Sequence, residues 1–254
     1  MHVLSPRRLA LFTATGLAAF IATSPAAAQA QDVDGGIYVT GRVGAALPSD
    51  FNLEGVQDPQ GASPGAAGAP ANVETQLDSD VTFSGAIGYK LPTRLFGVIE
   101  PSFEIEYTNT SLDVDGGSFN GGNQTFLGDL DVETFTVNYQ ADFALSEGSV
   151  VTPFLAGGRG IADVESNILY FPASASAPTF GVIADDTAFT YHTDAGVRFD
   201  LSDTIALDAR IRYQRVDGLD LERRFVAGGN DAFNANVSGD FETVNLLAGV
   251  RFSF

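Results

Sequence analysis

Apolar and polar residues alternate along most of this chain with a period of two. Near its start, Ile37, Val39, Val43 and Ala45 share one face, while Tyr38, Thr40 and Arg42 share the other. Successive side chains of a strand point to opposite sides, so this spacing predicts a strand over 37–46. The same alternation predicts strands over 81–91, 98–108, 134–145, 151–164, 189–201, 205–214 and 241–254. In the third, Ile99, Phe103, Ile105 and Tyr107 alternate with Glu100, Ser102, Glu104 and Glu106. The last runs without a break through Val250, Phe252 and Phe254, so the chain stops on an aromatic in mid-pattern. AGVRF stands at 195–199 and 248–252, with the same shape at 84–91, and the equivalent marks Leu91, Phe143, Phe199 and Phe252 recur about every 50 residues, which marks a repeated hairpin unit.

The connections alternate in length. Tight turns are expected at 92–94, 146–149 and 202–204, and long loops at 49–79, 112–130, 166–186 and 217–238, where Gly, Asn, Asp and Pro collect. Short turns on one side and long ones on the other predict an all-β, eight-stranded antiparallel up-and-down transmembrane barrel. It has four long external loops and three short periplasmic turns. A soluble barrel shares the period but buries the apolar face. Here the other face carries charges of both signs, as a small polar lumen does. Aromatics also gather near the strand ends: Tyr89, Phe143, Phe199, Phe252 and Phe254 at one end, Tyr107, Phe135 and Tyr213 toward the other.

Composition narrows the setting. Arg7 and Arg8 precede an apolar, Ala-rich stretch that ends at Ala28-Gln29-Ala30, so residues 1–30 are expected to be a cleaved signal peptide and 31–254 the barrel. There are no cysteines, which excludes disulfides, thiolate metal sites and Cys nucleophiles. The formal charge of −19 argues against nucleic acid as a partner.

The signal, the strand count, the loop alternation and the terminal AGVRFSF strand resemble the small eight-stranded outer-membrane barrels of the OmpA/OmpX and opacity-protein type. That resemblance implies the outer membrane of a Gram-negative-type envelope. It implies contact with outer-membrane lipid and lipopolysaccharide, and assembly by the barrel-assembly machinery, with Phe252 and Phe254 as the sorting signal. It specifies architecture and not function, because such barrels serve as adhesins, membrane stabilisers, small pores and lipid enzymes.

Strand parity turns Arg42, Lys90, Glu100, Glu104, Glu106, Asp142, His192, Asp194, Arg198, Asp200, Asp208, Arg210, Arg212 and Arg251 inward. An eight-stranded interior is only just wide enough for its side chains, and charges withdrawn from water need partners. A salt-bridged plug built on Lys90, Glu100, Glu104, Asp142, Asp194, Arg198, Asp208, Arg210, Arg212 and Arg251 is therefore expected. A turn centred on Asp203 makes opposed residue numbers in the sixth and seventh strands sum to 406, which sets Arg198 against Asp208 and Asp194 against Arg212. Gly196 should leave room for Arg210 to cross the lumen, with Glu100 and Glu104 as acids for Arg210 and Arg251.

No catalytic, cofactor or metal residue is expected. His192, with Asp194, is the sole His beyond the leader and lacks a matching Ser or a second imidazole. Asp113 and Asp115 precede glycines but lack the further oxygens of a calcium loop, and are read as a Gly turn. Arg159 falls on the lipid parity of the fifth strand. Either a bulge at Gly157-Gly158 turns it inward or it lies near the interface. The expected role is that of a non-enzymatic, monomeric outer-membrane barrel that stabilises the envelope or meets divalent cations or a host surface ligand through its loops. The alternatives are a narrow diffusion channel and a lipid-A-modifying enzyme.

Overall fold

The computed structural model describes residues 34–58, 67–146, 148–172, 174–227 and 234–254. The expected leader, residues 1–30, lies outside them. The strands are β1 (Gly36–Pro48), β2 (Phe51–Gln57), β3 (Val73–Leu77), β4 (Asp80–Lys90), β5 (Ile99–Phe119) and β6 (Gln124–Phe143). They continue with β7 (Val151–Pro172), β8 (Phe180–Asp200), β9 (Ile205–Phe225) and β10 (Ala235–Ser253). All pairings are antiparallel, and β1 closes the ring by pairing with both β4 and β10. Above Pro48 the same two staves continue as β2 and β3, which pair with β10 and β5. The ring is thus eight staves around, the first two each interrupted once.

The staves are much taller than a membrane requires. A transmembrane strand needs about 9–11 residues, whereas β5 to β9 have 20 to 22. Most of 112–130, 166–186 and 217–238, expected as loops, is therefore strand, and 49–79 contains β2 and β3. The period of two persists there with its sign reversed. On β5, inward Glu104 and Glu106 give way to inward Leu112, while outward Phe103, Ile105 and Tyr107 give way to outward Asn109, Ser111 and Asp113. Asp113 and Asp115 lie within β5, so the Gly-turn reading fails. The turn falls at Asn120 and Gly121, whose φ angles of 50° and 70° suit Asn and Gly.

The barrel consequently has two storeys. The lower is apolar outside and charged inside. The upper is acidic outside and packs Phe51, Leu53, Leu112, Leu130, Ile168, Tyr170, Leu219 and Phe241 inside, each under 2 % exposed.

The β8–β9 ladder sets Arg198 opposite Asp208, Asp194 opposite Arg212 and Thr193 opposite Tyr213, the register predicted from a turn at Asp203. A slip of one residue would turn charges toward lipid, which is why such a register is firmly held. Between β4 and β5 the connection is longer than the expected 92–94, with Phe96 and Gly97 at φ 53° and 72°. Pairing of β7 runs continuously past Gly157 and Gly158 on both sides, so no bulge turns Arg159 inward. It faces out.

Candidate functional site: a charged lumen beneath an apolar cap

Each inward residue of the lower storey owes its place to strand parity, and two glycines make space for rings. A side chain at Gly88 would fall 2.2 Å from the Tyr38 ring, and one at Gly196 would fall 2.4 Å from Phe154. Gly196 therefore admits Phe154, not Arg210 as the sequence suggested. The Arg210 guanidinium lies over that ring, 4.8 Å from its centre.

Around these rings the charges interlock. Arg42 reaches three acids, donating to Glu104 at 3.1 Å, Glu106 at 2.7 Å and Asp208 at 3.1 Å. Arg212 holds Asp194 with two parallel bonds, Nε to Oδ1 at 2.9 Å and Nη2 to Oδ2 at 2.8 Å, and also donates to Glu106. Arg210 joins Asp194 at 2.9 Å to Asp208 at 2.7 Å. Arg251 donates to Glu104 at 3.3 Å and lies 3.8 Å over the Tyr38 ring. Arg42, Arg210, Arg212 and Arg251 thus balance Glu104, Glu106, Asp194 and Asp208, and all are buried. Bidentate Arg–carboxylate geometry and mutual neutralisation are what make buried charge tolerable.

Nearer the short-turn end, Lys90 pairs with Glu100 at 2.7 Å, and Arg94 from the β4–β5 connection donates to the same carboxylate at 3.0 Å. Arg198 pairs with Asp142 over the intervening β7 and with Asp200 at 3.0 Å. Three sequence expectations change here. Arg198 faces Asp208 in register, yet its partner is Asp142; Arg42 and Arg210 neutralise Asp208 through Oδ2, and Oδ1 has no hydrogen-bond partner among the described residues. Arg210 draws its acids from β8 and β9. Glu100 is taken by Lys90 and Arg94. Arg42, Glu106 and Arg94 complete the network. The first two were legible from parity, whereas Arg94 sits in a turn that parity does not reach.

The upper part of the lattice shares a polar layer, in which Thr136 and Asn138 lie opposite Glu106 and Glu104 and His192 stands one inward position above Asp194. The His192 Nε2 has no hydrogen-bond partner among the described residues. Among the described residues no hydroxyl or carboxylate is held on it as a nucleophile or orienting acid would be. Nor does any group of three or more His, Cys, Asp or Glu among the described residues suit a metal ion.

Over this layer sits the apolar cap. Phe51 and Phe241 meet edge to face at 6.3 Å, and Tyr170 stacks on Phe126 at 4.9 Å. Arg223 is buried among them, 4.2 Å over Phe119 and 4.1 Å over Phe180, and donates to the Tyr170 hydroxyl. Burial pushes the Tyr170 phenol up to about 12. Outside this cap the wall is acidic. Glu54, Glu74, Asp113, Asp163, Glu165 and Asp220 all point to solvent. A concavity of about 850 Å³ over β6 to β10 is lined by Asp129, Glu165, Asp185, Asp220 and Glu222, with Arg224. The outer face suited to a ligand is thus strand wall, where the sequence reading expected loops.

The family model for the outer membrane protein beta-barrel domain matches residues 15–252. No curated protein sequence matches the chain. Among solved structures it is similar to the outer membrane protein OprG from Pseudomonas aeruginosa, with 13 % identity, coverage of 89 % of this chain and 99 % of that one, and a TM-score of 0.50. It is also similar to the outer membrane protease OmpT from Escherichia coli (9 %, 85 % and 97 %, TM-score 0.48) and to Neisserial surface protein A (16 %, 87 % and 100 %, TM-score 0.40). At these identities the likeness concerns the fold alone.

Proposed function

Because this chain belongs to the outer-membrane β-barrel family, we propose that it works as a closed, non-enzymatic barrel that carries a rigid acidic platform above the outer membrane. One observation supports this reading: two packed regions follow one another along the bore. A neutral lattice of ion pairs fills the lower lumen, and a packed apolar core fills the upper storey. An ion crossing the barrel must break the lattice and then shed its water in the cap. Burying an unpaired charge in such surroundings costs several kcal/mol at least.

The tall staves serve the platform. Carrying acids on strands fixes them in space, whereas flexible loops would lose conformational entropy on binding. Cationic partners or divalent ions fit that wall by charge. The leader 1–30, Phe252 and Phe254 serve export and assembly. Planar-bilayer recording on refolded protein tests closure. The expected trace stays at baseline, and steady openings in the wild-type barrel reject the reading in favour of a diffusion channel.

A further inference from the structure

Arg159 is the unexplained cation of this molecule. Every other described Lys or Arg has an ion pair, a hydrogen bond or a ring contact. Among the described residues Arg159 has none of these, in a chain with 32 acids. It points outward from β7, opposite Val137 on one side and Tyr191 on the other. Its neighbours along the outer face are Ile161 above and Gly157 below. The next outward residue above Ile161 is Asp163, where the wall turns acidic, so Arg159 lies just inside the outer edge of the apolar belt. Arg215, on the far side of Tyr191, is already held by Asp217, Asp240 and Glu242.

Directly below Arg159 the belt has a gap at Gly157, with Leu155 beneath it. A side chain at Gly157 would touch nothing closer than 3.4 Å. From there small residues continue across β8, β9, β10 and β1. They form much of a lipid-facing groove of about 490 Å³ lined by Val43, Ala195, Val197, Ala209 and Ala248 together with the larger Ile211 and Leu246. Opposed pairs Val197–Ala209, Ala209–Ala248 and Ala248–Val43 form its floor. The opposite side of the belt carries Phe83, Phe103, Tyr107, Phe135 and Tyr139 instead. Four adjacent strands span about 14 Å, enough for about three extended chains side by side.

We propose that Arg159 and this groove form a binding site for an anionic lipid with several acyl chains, a phosphorylated saccharolipid of the lipid A class. Its phosphate meets the guanidinium beside the Tyr191 hydroxyl, and its chains lie on the alanine floor. The argument rests on charge complementarity and on width. A guanidinium at the edge of hydrocarbon with no acid beside it is complementary to an anion, which it can bind by charge-assisted hydrogen bonds, and a two-chain lipid leaves part of the groove uncovered. The proposal depends on the outer-membrane placement of the barrel but not on closure of its lumen.

The test is native mass spectrometry of the refolded full barrel with lipid A, lipid A stripped of phosphate, and phosphatidylglycerol. Retention of lipid A is expected, with weak retention of the other two. Arg159→Gln should weaken lipid A about ten- to a hundredfold, the loss of one charge-assisted contact. Ala209→Phe, which fills the groove while keeping the charge, should weaken it as well. Arg215→Gln should leave it unchanged. A heat-modifiable gel band certifies that each variant is folded. Equal retention by the wild type and Arg159→Gln overturns the site, and equal retention of phosphatidylglycerol and lipid A overturns the ligand class.

Discussion

Replacing Arg198 with Ala separates the partner seen in the structure from the neighbour implied by register. Arg198 and Asp142 are both nearly sealed from solvent, with side chains 8 % and 0 % exposed. Removing the guanidinium leaves Asp142 with one bond, from Gln140 at 2.6 Å. Breaking a buried ion pair from one side costs about 3–5 kcal/mol. The remaining Gln140 bond places this case near about 3 kcal/mol by the same reasoning. The second pair of Arg198, to Asp200, adds little, because an acid 39 % exposed is worth about 0–1 kcal/mol after solvent screening. Adding Asp142→Asn removes the stranded charge, so the double variant should recover about 2 kcal/mol of the loss. Adding Asp208→Asn should recover nothing, since Asp208 keeps Arg42 and Arg210. Urea unfolding in vesicles, followed by far-UV circular dichroism and gel mobility because the chain has no Trp, gives both coupling energies. A coupling to Asp208 as large as that to Asp142 would refute the lattice as described.

Three further outcomes are expected. Phe241→Ala should cost about 3–5 kcal/mol and loosen the upper storey alone, seen as faster hydrogen exchange in β2 and the outer half of β10 with the gel shift kept; uniform loosening would mean the storeys are one cooperative unit. The Tyr170 phenol, raised to about 12, makes its stabilisation complete below about pH 10 and progressively lost as pH rises through 12, by about 2–3 kcal/mol; an ultraviolet tyrosinate titration against Tyr170→Phe should show one late-titrating group, and its absence would argue that the cap is wet. Phe254→Asp should abolish outer-membrane assembly while export continues; normal amounts of heat-modifiable barrel would remove the assembly role given to the terminal aromatic.

Much of the lower storey was legible because one physical rule covers it. Parity placed Arg42, Glu104, Glu106, Asp194, Arg212 and Arg251 in the lumen, and the turn at Asp203 set the β8–β9 register. What parity cannot supply is reach. Arg198, Arg210 and Glu100 lie on the face predicted but bond to other partners, because a long side chain in a narrow bore selects among acids on several strands. The upper storey was missed for a different reason. Leu112 and Val114 alternate with Asp113 and Asp115, and Leu219 and Leu221 with Asp220 and Glu222, which is strand periodicity. Its acidic outer face and frequent Gly and Asn carry the composition of loops. The deciding signal was the sign reversal, in which the apolar file crosses from the lipid side to the inside where the wall leaves the membrane. Arg159 stood out in the sequence as an anomaly, and the continuous register of β7 made it an outward cation.

The claim that the bore is closed at both levels is tested most directly at Thr136, buried opposite Glu106 of the lattice and beneath the cap residues Val132 and Leu130 of the same strand. Because the chain has no Cys, a single Thr136→Cys barrel in vesicles can be exposed to a charged, membrane-impermeant thiol reagent from either side, with exposed Ser111→Cys as the reference. The account predicts that the thiol of the Thr136→Cys barrel stays unmodified over the time in which the Ser111→Cys reference reacts to completion, and reacts fully once the barrel is unfolded. Modification of the folded Thr136→Cys barrel at a rate close to that of the reference would contradict it.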